Sequence, residues 1–451
     1  MKILIKGAGD LATGIAWMLK KAGYDLLMTD LEVPTAVRRT VSFSRAVYEG
    51  TATVEGITAR AAYDIEQIYE TINRDEIPVI ADPKAEISGS FSPDIVVDAI
   101  IAKKNTGTRI DDAGLVIGVG PGFTAGMDCH CVIETKRGHY LGRVIREGSA
   151  APNTGIPGDI GGYTSERIIR AAADGIFKPC RFIGDQVSKG DLLATSGGVP
   201  VYASISGIIR GMLQEGVPVS LNMKCGDIDP RCEAAHCLTI SDKARSIGGG
   251  VLEAVTSYRY RLERTAFVLL ASGKGERFGA NKLLHVYNGR RLFAYAVDAA
   301  PGYLERTVVT GYDEIADYAA QKGFNIVRNP EPELGISHSI HLGLASLTSA
   351  QTLQPPSAVV FSVCDQPGLT VQSIDRLIHS YAAGDKGLAC LCSPGADPGN
   401  PCLFSRKYFH DLMSLEGDIG GKRIILEHQD DLIRVTADSR ELTDIDYREQ
   451  I

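Results

Sequence analysis

The 451-residue sequence has no apolar run long enough to cross a membrane and no block of basic residues. The first absence excludes a helical membrane span. The second, together with a formal net charge of -8, argues against a nucleic-acid surface but leaves room for a local basic pocket. No signal-peptide pattern precedes the strand-like start at Met1 to Asp10, so a cytoplasmic protein is expected. The ten cysteines contain no CxxC pair and read as reduced thiols rather than a disulfide framework. No internal repeat or low-complexity tract stands out. No Ser/His/Asp arrangement for a protein nucleophile is found either.

What is present divides by texture, and the length calls for two or three domains. Lys2–Lys6 reads as a strand, Gly7-Ala8-Gly9-Asp10-Leu11-Ala12 as a glycine turn, and Leu11, Ile15, Leu19 and Ala22 as one face of a helix. A second strand, Asp25 to Thr29, ends at Asp30. This is the G-x-G-x-x-A form of a dinucleotide-type start, with an acid about 20 residues further on for a ribose. Gly7, Gly9, Asp10 and Asp30 are the candidate ligand loop, although Arg38 and Arg39 would suit a phosphate. A Rossmann-like unit that binds no dinucleotide has the same pattern. Further strands at Pro78 to Ala81, Ile95 to Ile101 and Leu115 to Val119, with a helix near Ile65 to Ile72, predict a parallel, doubly wound sheet over residues 1–127. Its last strand enters a second glycine turn, Gly118 to Phe123, and Lys103, Lys104 and Asn105 sit just past the preceding strand. Either a ligand site or a plain turn fits there.

From Asp128 short strands spaced by Gly, Asp and Pro predict a β-rich domain, residues 128–263. Cys129, His130 and Cys131, and then Cys225, Cys232, His236 and Cys237, read as structural thiols rather than metal ligands. Phe182 to Ile209 resembles a biotinyl/lipoyl-like barrel, but Thr195-Ser196-Gly197-Gly198-Val199-Pro200 presents no lysine at the hairpin tip. A polar stretch, three glycines (Gly248 to Gly250) and a helix-like run, Leu252 to Leu262, predict a linker helix and a boundary near Arg264.

The most informative stretch is Phe267 to His285. An apolar strand ends in Ser272-Gly273-Lys274-Gly275, and after Arg277, Gly279 and Lys282 the apolar period resumes. Glycine backbone N–H groups with two added cations suit a nucleotide's phosphates, and the loop is neither a Walker A nor a Rossmann fingerprint. A tight connection alone is the bland alternative. Downstream, Gly335-Ile336-Ser337-His338-Ser339 opens a helix, and the strand Ala358 to Val363 delivers Cys364-Asp365-Gln366-Pro367. A carboxylate at such a strand end faces the ligand crevice, where Mg²⁺ could bind through Asp365, with Asp418 as a second candidate.

Residues 264–451 resemble the nucleotidyltransferases that attach a nucleotide to molybdopterin, most nearly the molybdenum cofactor cytidylyltransferases. The motifs are Ala271 to Lys282, Asn329-Pro330 with Gly335-Ile336-Ser337, Cys364-Asp365-Gln366-Pro367, Gly399-Asn400-Pro401 and Gly417-Asp418-Ile419-Gly420. The resemblance implies a Rossmann-like, GT-A-like α/β domain. It also implies that Ala271, Ser272, Gly273, Gly275, Arg277 and Lys282 grip the triphosphate, that Ser337 and Ser339 approach the nucleoside, and that Arg277, Lys282 and Asp365 carry catalysis. Asp365 and Asp418 would hold Mg²⁺, with an NTP, CTP favoured, and molybdopterin as substrates. The family usually has Ala at Ser272, Ser at Gly275 and Arg at Lys422, and the first two positions bear on base selection.

Residues 1–263 resemble accessory proteins of the selenium-dependent molybdenum hydroxylase system, through Lys6 to Gly14, Pro34 to Arg39 and Gly118 to Phe123. Together the halves imply a maturation factor whose client is a molybdenum hydroxylase. A non-catalytic module that holds and delivers the cofactor, and a sugar-phosphate nucleotidyltransferase, are the alternatives.

Overall fold

Runs of Val, Ile and Leu buried on both faces form the centres of two open sheets, as strands covered by layers on either side must be. The computed structural model describes residues 1–155, 157–273, 281–349 and 354–445, in two units, Met1–Thr256 and Ser257–Ile451. Among the described residues no helix is long and apolar enough to cross a membrane.

The first unit holds a nine-stranded sheet. Its strand order is Thr51–Val54, Ile57–Ala61, Ile77–Ala81, Asp25–Asp30, Lys2–Lys6, Ile95–Asp98, Leu115–Val119, Cys131–Ile133, Val144–Ile145. Pairing is parallel from Ile57–Ala61 through Cys131–Ile133, and the two outermost strands are antiparallel edges. The order reverses at Lys2–Lys6, the switch point of a Rossmann-like sheet, which opens a crevice at the carboxyl ends of its strands. The sheet also runs past residue 127, where the sequence placed the end of the first domain. Cys131–Ile133 extends it because this short segment is buried throughout and pairs with Leu115–Val119.

Residues 168–229 fold as two four-stranded antiparallel sheets. One is ordered Ile168–Arg170, Lys224–Asp229, Gly207–Met212, Gln186–Val187, and the other Val199–Tyr202, Leu192–Ser196, Gly175–Pro179, Pro218–Val219. Phe177, Leu193, Val201, Ile209 and Met212 share the core between them. Among the described residues no ladder joins the two sheets, and the segment Phe182 to Ile209, which resembles a biotinyl/lipoyl-like barrel in sequence, contributes strands to both. At its hairpin tip Gly197 and Gly198 take φ of 56° and 85°, the left-handed pair that a tight two-residue turn demands.

The helix-like run expected at Leu252 to Leu262 begins ten residues earlier and takes in the glycines at 248–250. They lie inside one helix, Asp242–Glu263. A Cβ at Gly248 would sit 2.8 Å from the Gly14 carbonyl oxygen and one at Gly250 would sit 2.0 Å from that of Gly142. Close backbone packing therefore selects glycine at both positions, against helix propensity.

In the second unit seven strands are ordered Asn325–Arg328, Glu305–Thr310, Thr265–Leu270, Ala358–Val363, Gly399–Ser405, Leu388–Cys392, Leu432–Thr436. The first four are parallel, and Gly399–Ser405 runs antiparallel to both its neighbours. The chain leaves Thr265–Leu270 toward Glu305–Thr310 on one side and adds Ala358–Val363 on the other. That reversal places a crevice beside the carboxyl ends of Thr265–Leu270 and Ala358–Val363. Phe267, Val308, Val360 and Leu391 pack one face of the sheet, and Val268, Val309, Phe361 and Phe404 the other.

Candidate functional site

The strand Thr265–Leu270 ends in a tightly held turn. Ala271 N–H donates to the Val309 carbonyl (2.9 Å), Ser272 Oγ donates to the same oxygen (3.1 Å), and Thr310 Oγ1 donates back to the Ala271 carbonyl (2.9 Å). Ala271 and Ser272 are buried, and Gly273 is exposed, with open space where a Cβ would stand. Tyr312, which sequence reasoning missed, donates its hydroxyl to the Gly273 carbonyl at 3.2 Å. Gly275 and Arg277 lie outside the described residues.

Lys282 follows in a short 3₁₀ turn after Asn281, whose side chain accepts from Leu283 N–H. Its Nζ reaches Asp365 Oδ2 at 2.7 Å, across from the end of Ala358–Val363. Two residues expected to serve phosphate and metal are thus brought together. Asp365 Oδ1 is buried and has no hydrogen-bond partner among the described residues. An orphaned carboxylate oxygen of this kind is costly unless something occupies it. The backbone here is fixed from the chain's far end, since Ile445 N–H donates to the Asp365 carbonyl at 2.9 Å and Gln366 Nε2 to that of Leu442 at 3.4 Å. No local pattern announced that strap.

Gly335, with φ of 88°, precedes the helix Ile336–Thr348, and a Cβ there would lie 2.3 Å from the Gly417 carbonyl oxygen. Ser337 donates to that same oxygen from Oγ (2.8 Å) and from its backbone N–H (3.2 Å). The Gly335 and Gly417–Asp418 motifs therefore form one contact, with the Asp418 side chain in solvent. Ser339 Oγ accepts from Asn329 Nδ2 at 3.0 Å. Both serines are buried with their hydroxyls engaged inside the domain. Lys422 points to Asp397, at 3.5 Å.

In the first unit, Gly7 takes φ of 96° and its Cβ would meet the Ala99 carbonyl oxygen at 2.9 Å. The Asp30 carboxylate accepts from Ala8 N–H (2.9 Å) and Leu31 N–H (2.7 Å). Burial nonetheless pushes that carboxyl above its ordinary range. Gly9 heads the helix Asp10–Lys21, and Asp10 lies 3.6 Å from Arg38. Arg39 is structural, its Nε donating to the Met212 carbonyl at 2.8 Å. Cys129 and Cys131 are buried free thiols, and His130 Nδ1 accepts from Val116 N–H at 2.9 Å. Among the described residues no group of three or more His, Cys, Asp or Glu could hold a metal ion.

In the C-terminal unit a glycine turn after the central parallel strand is thus faced by a lysine–carboxylate pair at the next strand's end. Residues 267–432 match the family model of the MobA-like NTP transferase domain. The chain is 49% identical over 253 residues to the uncharacterized protein YqeB of Escherichia coli strain K12, a match covering 56% of this chain and 47% of that protein. It thus spans about half the length of that relative. It is 28% identical over 195 residues to the nicotine blue oxidoreductase of Paenarthrobacter nicotinovorans, covering 41% of this chain and 93% of that protein. Among solved structures, Rv0371c of Mycobacterium tuberculosis H37Rv matches 42% of this chain and 95% of its own, with 22% identity and a TM-score of 0.35.

Proposed function

We propose that the C-terminal unit transfers a nucleotidyl group, CMP in first place, from an NTP to molybdopterin, releasing pyrophosphate, and so serves maturation of a molybdenum hydroxylase. The observation that carries the reading is the Lys282–Asp365 pair, 2.7 Å apart, with Asp365 Oδ1 buried and without a hydrogen-bond partner among the described residues. A general acid–base apparatus is not what this reaction needs, because phosphoryl transfer relies on positioning and charge neutralisation. Lys282 supplies positive charge at the phosphates beside the open Gly273 turn. Ser337 and Ser339 fix the wall of the crevice through Gly417 and Asn329, and exposed Asp418 is left to meet metal or acceptor.

The orphaned Asp365 oxygen fits a hard cation that takes one or two protein carboxylates and completes its shell with phosphate oxygens and water. Mg²⁺ held by Asp365, with Asp418 as the second candidate, would neutralise phosphate charge. The N-terminal unit, by its resemblance, would act in the same maturation route.

The test is pyrophosphate release by the purified full chain with Mg²⁺, molybdopterin, and CTP, GTP or ATP supplied singly. Release with CTP alone, dependent on acceptor, is expected. Binding of nucleotide or cofactor without release under any of the three would replace transfer with a delivery role.

A further inference from the structure

The first unit contains a cleft that the transferase reading leaves unused. Two neighbouring cavities of about 630 and 540 Å³ share Arg38, Arg137, Arg210 and Ser241 in their walls. Ten lysine and arginine side chains line the pair, against four carboxylates. Three of those carboxylates are paired, Asp242 with Arg137 at 3.0 Å, Asp227 through Oδ2 with Arg167 at 3.2 Å and Asp10 with Arg38 at 3.6 Å, while Arg231 and Arg245 among the cations pair with Asp229 and Glu55 behind the wall. Lys243, half-buried at the start of the helix Asp242–Glu263, has no ion pair among the described residues, and burial and Arg137 hold its pKa below the usual lysine value.

Arg38 and Arg210 decide the matter. Their side chains are only 7% and 11% exposed, yet the Nε of each is buried without a hydrogen-bond partner. Those Nε atoms lie too deep for a ligand to touch, and Arg38 Nη2 already donates to the His236 and Thr239 carbonyls at 2.8 and 3.2 Å, so what the cleft offers an anion is the guanidinium charge itself, gathered at its wall in excess of the lining carboxylates. Two helices, Asp10–Lys21 and Asp242–Glu263, begin at the same walls, adding N-terminal dipoles of the matching sign. On the rim, Ile101 and Lys103 hold φ of 60° and 63°. Such strain in a β-branched residue is kept where the surrounding structure over-determines it, as at ligand sites.

We propose that this cleft is a second ligand site, binding a small molecule with two or more linked phosphate groups through Arg38, Arg210 and Lys243. Its concavity and its buried arginines suit a small polyanion rather than a nucleic-acid strand, in keeping with the chain's net charge of -8.

The sole tryptophan, Trp17, reports on the site, because Arg245 in the cleft wall stacks over its ring at 4.8 Å. The experiment titrates the full chain with inorganic pyrophosphate and, separately, ADP. It follows Trp17 fluorescence and calorimetric heat in a Lys282→Ala, Asp365→Ala background that silences the C-terminal site. Saturable binding is expected there, weakened at least tenfold by Lys243→Gln and by Arg210→Gln. Tighter ADP than pyrophosphate would mark a nucleotide as the source of the phosphates, and the reverse a non-nucleotide phosphate compound. Absence of heat in that background, or an unchanged midpoint in a folded Lys243→Gln chain, would overturn the proposal. Lys243→Gln alone decides if Arg210→Gln does not fold.

Discussion

Lys282 Nζ and Asp365 Oδ2 lie 2.7 Å apart although 83 positions separate them in the sequence. The pair joins the far end of the glycine loop to the end of the neighbouring parallel strand. Asp365→Asn keeps the side chain's size while removing its charge. Pyrophosphate release should fall by about a hundredfold or more, on the scale of losing one preorganised electrostatic group. The thermal midpoint should also fall, because the ion pair from Oδ2 to Lys282 is lost, so release is compared at a temperature where both chains are fully folded. A variant releasing pyrophosphate at the wild-type rate would remove Asp365 from the mechanism.

Ser337 and Ser339 make different demands on the fold. Ser339 Oγ is the acceptor for buried Asn329 Nδ2, so Ser339→Ala strands a donor and should cost about 1–3 kcal/mol. In Ser337→Ala the Gly417 carbonyl still accepts from the Ser337 backbone N–H, so the loss should be smaller, about 0.5–1.5 kcal/mol. Denaturant unfolding of the two variants measures the order. Unchanged stability with a raised KM for the nucleotide would instead put the hydroxyls directly on the nucleoside.

Much of this was legible because the signals were local. Runs such as Ala358 to Val363 and the glycine turns at Gly7 and Gly273 fix strand, turn and helix start within a few residues, and the strand Lys2–Lys6 was read to the residue. Long-range placement was not. Nothing near Asn329 shows that it hydrogen-bonds Ser339, nor anything near Asp365 that Ile445 pins its carbonyl. Three consecutive glycines were left outside the expected helix because propensity counts against them there, while the carbonyls of Gly14 and Gly142 that exclude a Cβ lie more than 100 residues away. Arg38 was read as suited to a phosphate, but that Arg210 faces the same cleft was not legible, for the same reason.

Asp98 ends the strand Ile95–Asp98 almost fully buried, accepting from Thr108 Oγ1 at 2.7 Å and Ile100 N–H at 3.2 Å. Burial outweighs those bonds and raises its pKa above the ordinary 3.8. The folded state therefore holds this proton more tightly than the unfolded chain does. The contribution to stability is fully present below about pH 3.8 and is lost as pH rises through the folded value. Asp98→Asn lacks that titration. Its stability relative to wild type should rise from about pH 4 upward and then level off, as followed by denaturant unfolding at a series of pH values. A difference that stays flat with pH would show that Asp98 titrates alike in both states.

Gly249 and Gly250 are neighbours in one helix with opposite expected responses to alanine. A Cβ at Gly249 would meet only the end of the Met18 side chain, at 3.9 Å, which is ordinary contact. Helix propensity then acts alone, and Gly249→Ala should stabilise by about 0.5–1 kcal/mol. At Gly250 the added carbon would fall 2.0 Å from the Gly142 carbonyl oxygen, and Gly142 itself holds φ of 83°. Backbone cannot rotate aside as a side chain can, so the helix must shift away from Gly142. Gly250→Ala should destabilise by roughly 1–3 kcal/mol, the range for overpacking. Thermal melts of the two single variants compare the signs directly. If both stabilise, propensity governs this helix and the close approach to Gly142 is not a constraint on it.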